Sequence, residues 1–168
     1  MKATLKIVLP VLALASISIF AHAGVGQFEN EKTTCYVFKN NKLASKSSCT
    51  YGGAAGGNGY GAFFNASFKV KGYKEFEVVN SVSWEYSNGN TTKSEELITL
   101  NNKKAELRHR DIKSLKVLPK TDYKKRQTAY LNKWNKLGWE KADKPSWVDC
   151  YYQKSSGLEF CHVYKPHG

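Results

Sequence analysis

The hexapeptide Glu106-Leu107-Arg108-His109-Arg110-Asp111 gathers carboxylates and an imidazole that can move protons with two guanidinium groups that can hold phosphate. A secreted nuclease could use such a set as base, acid and anion clamp. Period-two geometry works against convergence. In a strand, Glu106, Arg108 and Arg110 project to one face and Leu107, His109 and Asp111 to the other. Outside the amino-terminal leader described below, the histidines are His109, His162 and His167, so a two-histidine mechanism requires the fold to bring His109 to His162. The catalytic candidates are therefore Glu106, Arg108 and His109, weighed against ordinary surface charge, which short sets of this kind usually are. The chain has no Gly-x-Ser-x-Gly elbow, and Ser155-Ser156-Gly157 reads as a turn. Cysteine catalysis would sacrifice a disulfide. The reading leans away from an enzyme.

The cysteines are Cys35, Cys49, Cys150 and Cys161, and an even number in an exported chain reads as disulfides. Cys35 to Cys49 and Cys150 to Cys161 is the favoured pairing, because each pair brackets a short segment with turn residues at its middle. A turn centred on Ser155-Ser156 sets Cys150 directly opposite Cys161. Spacings of this size do not match short-spaced zinc motifs, so no metal and no cofactor are expected.

Charge is unevenly distributed. The chain has 26 basic and 14 acidic residues; without Lys2 and Lys6 the excess is +10, and residues 103 to 144 hold +9 of it. The segment includes Lys124, Lys125, Arg126, Lys133 and Lys136, the candidate binding residues. Such a patch attracts nucleic acid, phosphorylated glycolipids, anionic cell-wall polymers or an acidic protein. The competing reading is lysines that keep a surface soluble and a sheet edge unpaired.

The elements that must position these groups follow from periodicity. Lys2 and Lys6 precede an uncharged, mostly apolar run from Ile7 to Phe20 and then Ala21-His22-Ala23. This reads as a secretory signal peptide, residues 1–23, cleaved before Gly24, too short to span hydrocarbon. Residues 24–168 then make one domain of 145 residues, soluble, in the periplasm or medium of a bacterium.

Thr33 to Arg110 alternates short β-prone runs with turn signals, the pattern of an antiparallel meander. Val82, Trp84 and Tyr86 share a face expected to point inward, before the hairpin signal Asn88-Gly89. Lys71-Gly72 and Leu100-Asn101-Asn102-Lys103-Lys104 mark further turns. Tyr51 to Gly61 is so rich in glycine that a loop is expected, since fixing its backbone is costly. Residues 121–137 read as the one amphipathic helix, capped by Thr121, ended by Gly138, and packed across the sheet through Tyr123, Tyr130, Trp134 and Leu137. The aromatics Trp139, Trp147, Tyr151 and Tyr152 flank it, as core or as a platform for sugars or bases. The fold class is β-rich α+β: an antiparallel sheet, sandwich- or barrel-like, with that helix and a disulfide-closed carboxy-terminal hairpin.

The function expected is that of an exported, non-enzymatic binding protein whose basic face meets an anionic polymer or acidic protein. The alternatives are a secreted nuclease-like hydrolase, or an inhibitor or immunity protein with one cognate protein target.

Overall fold

The computed structural model describes residues 24–87, 90–138 and 144–163. Residues 1–23, which the sequence reading takes as a signal peptide, and Asn88-Gly89, Trp139 and Tyr164 lie outside the described residues. In chain order the elements are β1 (Gly24–Lys39), β2 (Lys42–Asn58), β3 (Gly61–Val70), β4 (Phe76–Ser87), β5 (Asn90–Leu100), β6 (Lys103–Lys104), β7 (Glu106–Asp111), α1 (Lys120–Leu137), β8 (Trp147–Gln153) and β9 (Leu158–His162). They form one antiparallel sheet in the order β6-β5-β4-β3-β2-β1-β9-β8-β7.

Turn chemistry sets the meander. Asn40-Asn41 and Asn101-Asn102 hold both central residues at positive φ, the two-residue loop whose twist matches that of the flanking strands. Gly72, at φ 82°, turns β3 into β4. Cys150 faces Cys161 in the register of β8 with β9, and their disulfide closes that hairpin. Cys35 and Cys49 form the second bridge, between β1 and β2.

The sheet is rolled. Its two end strands, β6 and β7, are separated in the chain by Ala105 alone. Ala105 donates its N–H to Ile98 O at 2.9 Å, and the Gln153 side-chain amide on β8 bonds Leu100 O on β5. Strands from both ends of the sheet thus fill one interior, with Phe68, Leu100 and Phe160 fully buried beside Tyr51, Phe76 and Tyr151. Each such side chain contributes about 1.5–3 kcal/mol by leaving water.

A second, smaller cluster lies outside β1, β9 and β8: Tyr36, Phe38, Val148, Cys150 and Cys161, with Ile112 and Leu115 packed on it. The connection 112–118 folds back over these strands, held by Leu118 N–H to His109 O and Ile112 N–H to Ser146 O. The stretch Cys35 to Phe38 of β1 is therefore covered on both faces.

The glycine-rich segment is not a loop. Gly52 to Gly57 lie within β2, paired to β1 and β3. The glycines are there because backbones come too close for side chains. A Cβ on Gly53 would meet Asn65 O and lie 2.8 Å from Ala66 Cα, and one on Gly56 would lie 2.6 Å from Gly24 O. Close backbone approach and a nearby bulge are what interior strand glycines mark. The bulge falls between Phe28 and Glu31, with Asn30 at φ 55°.

The helix also departs from expectation. Pro119, not Thr121, occupies the cap: no side chain caps the end, and the N–H groups of Asp122 and Tyr123 bond Pro119 O. The helix begins at Lys120, so Thr121 already lies inside its first turn, past the position from which a side chain caps. Gly138 does end the helix at positive φ, its N–H bonded to Trp134 O. Rather than crossing the sheet, α1 sits at its β7–β8 margin and buries no residue fully; Leu137 is exposed. Of the face expected to point inward, Val82 and Trp84 are only half-buried.

Candidate functional site

Alternation along β7 separates the catalytic candidates. Arg108 turns to Tyr152 of β8, its guanidinium 3.5 Å from the ring centroid, and its Nη2 bonds the exposed Glu106 carboxylate at 3.3 Å. His109 points to the opposite face. Glu106, Arg108 and His109 do not converge.

His109 instead meets partners that come from other elements. It stands opposite Asp149 in the β7–β8 register, with His109 Nδ1 2.9 Å from Asp149 Oδ1. The Tyr123 ring of α1 stacks on the imidazole, centroids 3.4 Å apart and planes within 3°, while Gln127 Nε2 donates to Tyr123 Oη at 3.0 Å. With Nδ1–H directed at the carboxylate, the neutral imidazole keeps Nε2 as an acceptor.

His109, Asp149 and His162 line one cavity of about 350 Å³. The fold thus brings the two histidines to a common space. His162 is buried in a ring cluster, 4.8 Å from Phe68 and 5.6 Å from Phe64 by centroid, with Nδ1 3.4 Å from Val163 O. Tyr151 lines the cavity too; burial first, and the nearby Asp149 charge second, push its phenol far above the ordinary value, so it stays neutral. Asn80 from β4 completes the polar lining, and Phe63 and Phe64 from β3 give the apolar wall.

The volume exists because β2 supplies so little bulk. Cys49 and Tyr51 point inward by alternation, and Gly53, Ala55 and Gly57 continue that face. Below, Tyr51 and Phe68 stack at 4.9 Å and fill the interior; above, Ala55 and Gly56 line space. A wider groove of about 870 Å³ adjoins it between β5, β7 and α1, sharing Leu107, His109 and Tyr123 with the cavity and adding Lys104, Lys120 and Lys124.

Of the candidate binding residues, Lys124, Lys125, Lys133 and Lys136 are exposed. Arg126 is half-buried and works inward, Nη1 bonding Asp111 Oδ2 at 2.6 Å and Ser146 O at 3.1 Å. Arg108 and Arg110 are likewise engaged, so the chain's three arginines hold the protein together and the exposed positive charge of 103–144 is lysine. Tyr123 and Tyr130 meet Trp147 edge-on at 5.5 Å, which assigns Trp147 to anchoring the helix.

Asp111 links these parts. Its Oδ1 accepts the backbone N–H of Ser114 at 2.6 Å and of Lys113 at 3.1 Å. The Ser114 bond, then Arg126, holds its carboxyl well below the usual carboxylate range. A depressed folded-state pKa stabilises the fold above the unfolded value, about 3.9, and that contribution is lost as pH falls. Asp111→Asn is thus expected to lower the urea midpoint at about pH 7, with the gap to wild type closing below about pH 4. A gap of constant size across that range would refute the assignment.

Cys150, Cys161 and Glu159 lie close together, but the sulfurs are bonded to each other and the carboxylate to Arg110, leaving no free donor set for a metal. No family model, curated protein or solved structure matches this chain.

Proposed function

We propose that this is an exported, non-enzymatic binding protein whose helix α1 presents lysine to an anionic polymer or the acidic face of a protein. The observation that carries the reading is a helix with no buried residue. It is fixed by Tyr123 on His109, Arg126 on Asp111 and Tyr130 on Trp147, while Lys120, Lys124, Lys125, Lys133 and Lys136 face solvent. A helix that adds so little to the core is explained by what it displays, and clustered surface cations speed and strengthen association with polyanions. Two disulfides support export, and no helix among the described residues is long and apolar enough to cross a membrane.

The test compares two charge-matched variants. In Lys125→Glu/Lys133→Glu/Lys136→Glu the helix is reversed; in Lys42→Glu/Lys71→Glu/Lys74→Glu the same change falls on exposed lysines elsewhere. Retention on immobilised heparin and polyphosphate, eluted from about 0.05 to 0.3 M salt, is expected to fall far more in the helix variant. Equal losses would mean that net charge alone, and not this face, governs binding.

A further inference from the structure

The lysine face and the cavity differ in chemistry. None of the cavity's described lining residues is lysine or arginine; its carboxylate is Asp149, and its other polar groups are His109, His162, Tyr123, Tyr151 and Asn80. In a chain with twelve more positive than negative residues, an inner site free of fixed cations is set apart from the surface. His109 Nδ1 lies 2.9 Å from Asp149 Oδ1, which directs its N–H at the carboxylate and leaves Nε2 as the acceptor of the neutral ring. A carboxylate, the His109 imidazole and the rings of Phe64 and Tyr151 form a lining that rewards hydrogen-bond donors and positive charge held against aromatic faces. The volume, about 350 Å³, lies at the lower end of small-molecule sites.

We propose that this cavity binds a small organic amine with an apolar body, its ammonium group at Asp149 and its body against Phe64 in the space left by the small side chain of Ala55. Tyr123, stacked on His109, makes the helix one wall of the site. The site takes a cation while the helix takes anions.

Isothermal titration of the full oxidised protein tests this with phenethylamine and phenylacetate, which share a ring and differ in charge. The amine is expected to bind saturably, and the anion to bind at least about tenfold more weakly, the worth of one charge-assisted hydrogen bond. Asp149→Asn, nearly isosteric, is expected to cost the amine about tenfold. Ala55→Leu adds bulk to the cavity and keeps Asp149, and is expected to abolish amine binding, which keeps the test decisive if Asp149→Asn does not fold. Absence of saturable amine binding, equal affinity for phenylacetate, or undiminished binding in Ala55→Leu would each overturn the proposal.

Discussion

Arg110→Ala is expected to remove about 3–5 kcal/mol of folding free energy, because it strands a carboxylate in the interior. Arg110 and Glu159 are almost completely buried, their side chains 3% and 1% exposed. The guanidinium grips the carboxylate with two bonds, Nε to Oε1 at 3.1 Å and Nη2 to Oε2 at 2.5 Å. It also donates to Leu115 O at 2.7 Å and Asn41 Oδ1 at 2.5 Å, and lies 4.1 Å from the Phe38 ring centroid. This one side chain ties β7 to β9, to the first hairpin and to the connection that folds over the outer cluster. Two charges out of water are expensive unless each satisfies the other, so deleting one is worse than deleting both. Arg110→Met/Glu159→Leu is accordingly expected to recover most of the loss. Guanidinium chloride unfolding measures both. A single-variant loss below about 1 kcal/mol, the scale of an exposed pair, would show that the interior tolerates the lone carboxylate.

Gly53→Ala is expected to destabilise by about 3 kcal/mol or more, as overpacking against a backbone that cannot yield. The added Cβ meets Asn65 O and Ala66 Cα of β3, both fixed in the ladder by pairing on either side. Gly59→Ala is the control: it sits in the turn after β2 with nothing within 4 Å of the new atom, and a change within about 0.5 kcal/mol is expected there. Thermal unfolding of the two variants separates a glycine that the strand requires from one that it tolerates. Similar, small effects would return the segment to a loosely paired state.

That contrast marks what could be read from the residues alone. The carboxy-terminal hairpin was legible because Ser155-Ser156-Gly157 fixes a local turn and the cysteines are symmetric about it. The sheet was legible from alternation, and the opposed faces of Arg108 and His109 followed from period two. Asn40-Asn41 carries the same positive-φ signal as Asn101-Asn102 and is a turn that asparagine pairs could have flagged. The glycine run misled because its cost is visible in the sequence, while its compensation, neighbouring backbones in near contact, arises only once β1 and β3 are in place. Thr121 misled because local capping preference lost to Pro119. The pairing of His109 with Asp149 spans 40 residues and rests on the β7–β8 register, which no short-range pattern encodes. The arginines of the basic segment looked like ligand contacts until Asp111, Tyr152 and Glu159 appeared across the fold as their partners.

Strand β1 lies between β2, its neighbour in the chain, and β9, near the other end of it; Thr33 Oγ1 bonds Val163 O across 130 residues. A chain made amino end first therefore carries β1 with one edge unfilled until the last hairpin arrives. Strands β1 to β5 can form as a meander and Cys35 can reach Cys49 while that edge waits, but β7 finds its partner in the sheet only through β8. The final hairpin must wedge between β1 and β7, and with it comes the bond from Gln153 that draws the two margins together. Until then the unfinished sheet offers a long row of open backbone groups to any extended segment nearby. The two bridges thus belong to different ages of the molecule, one available early and local to the meander, the other sealing the piece that makes the roll complete.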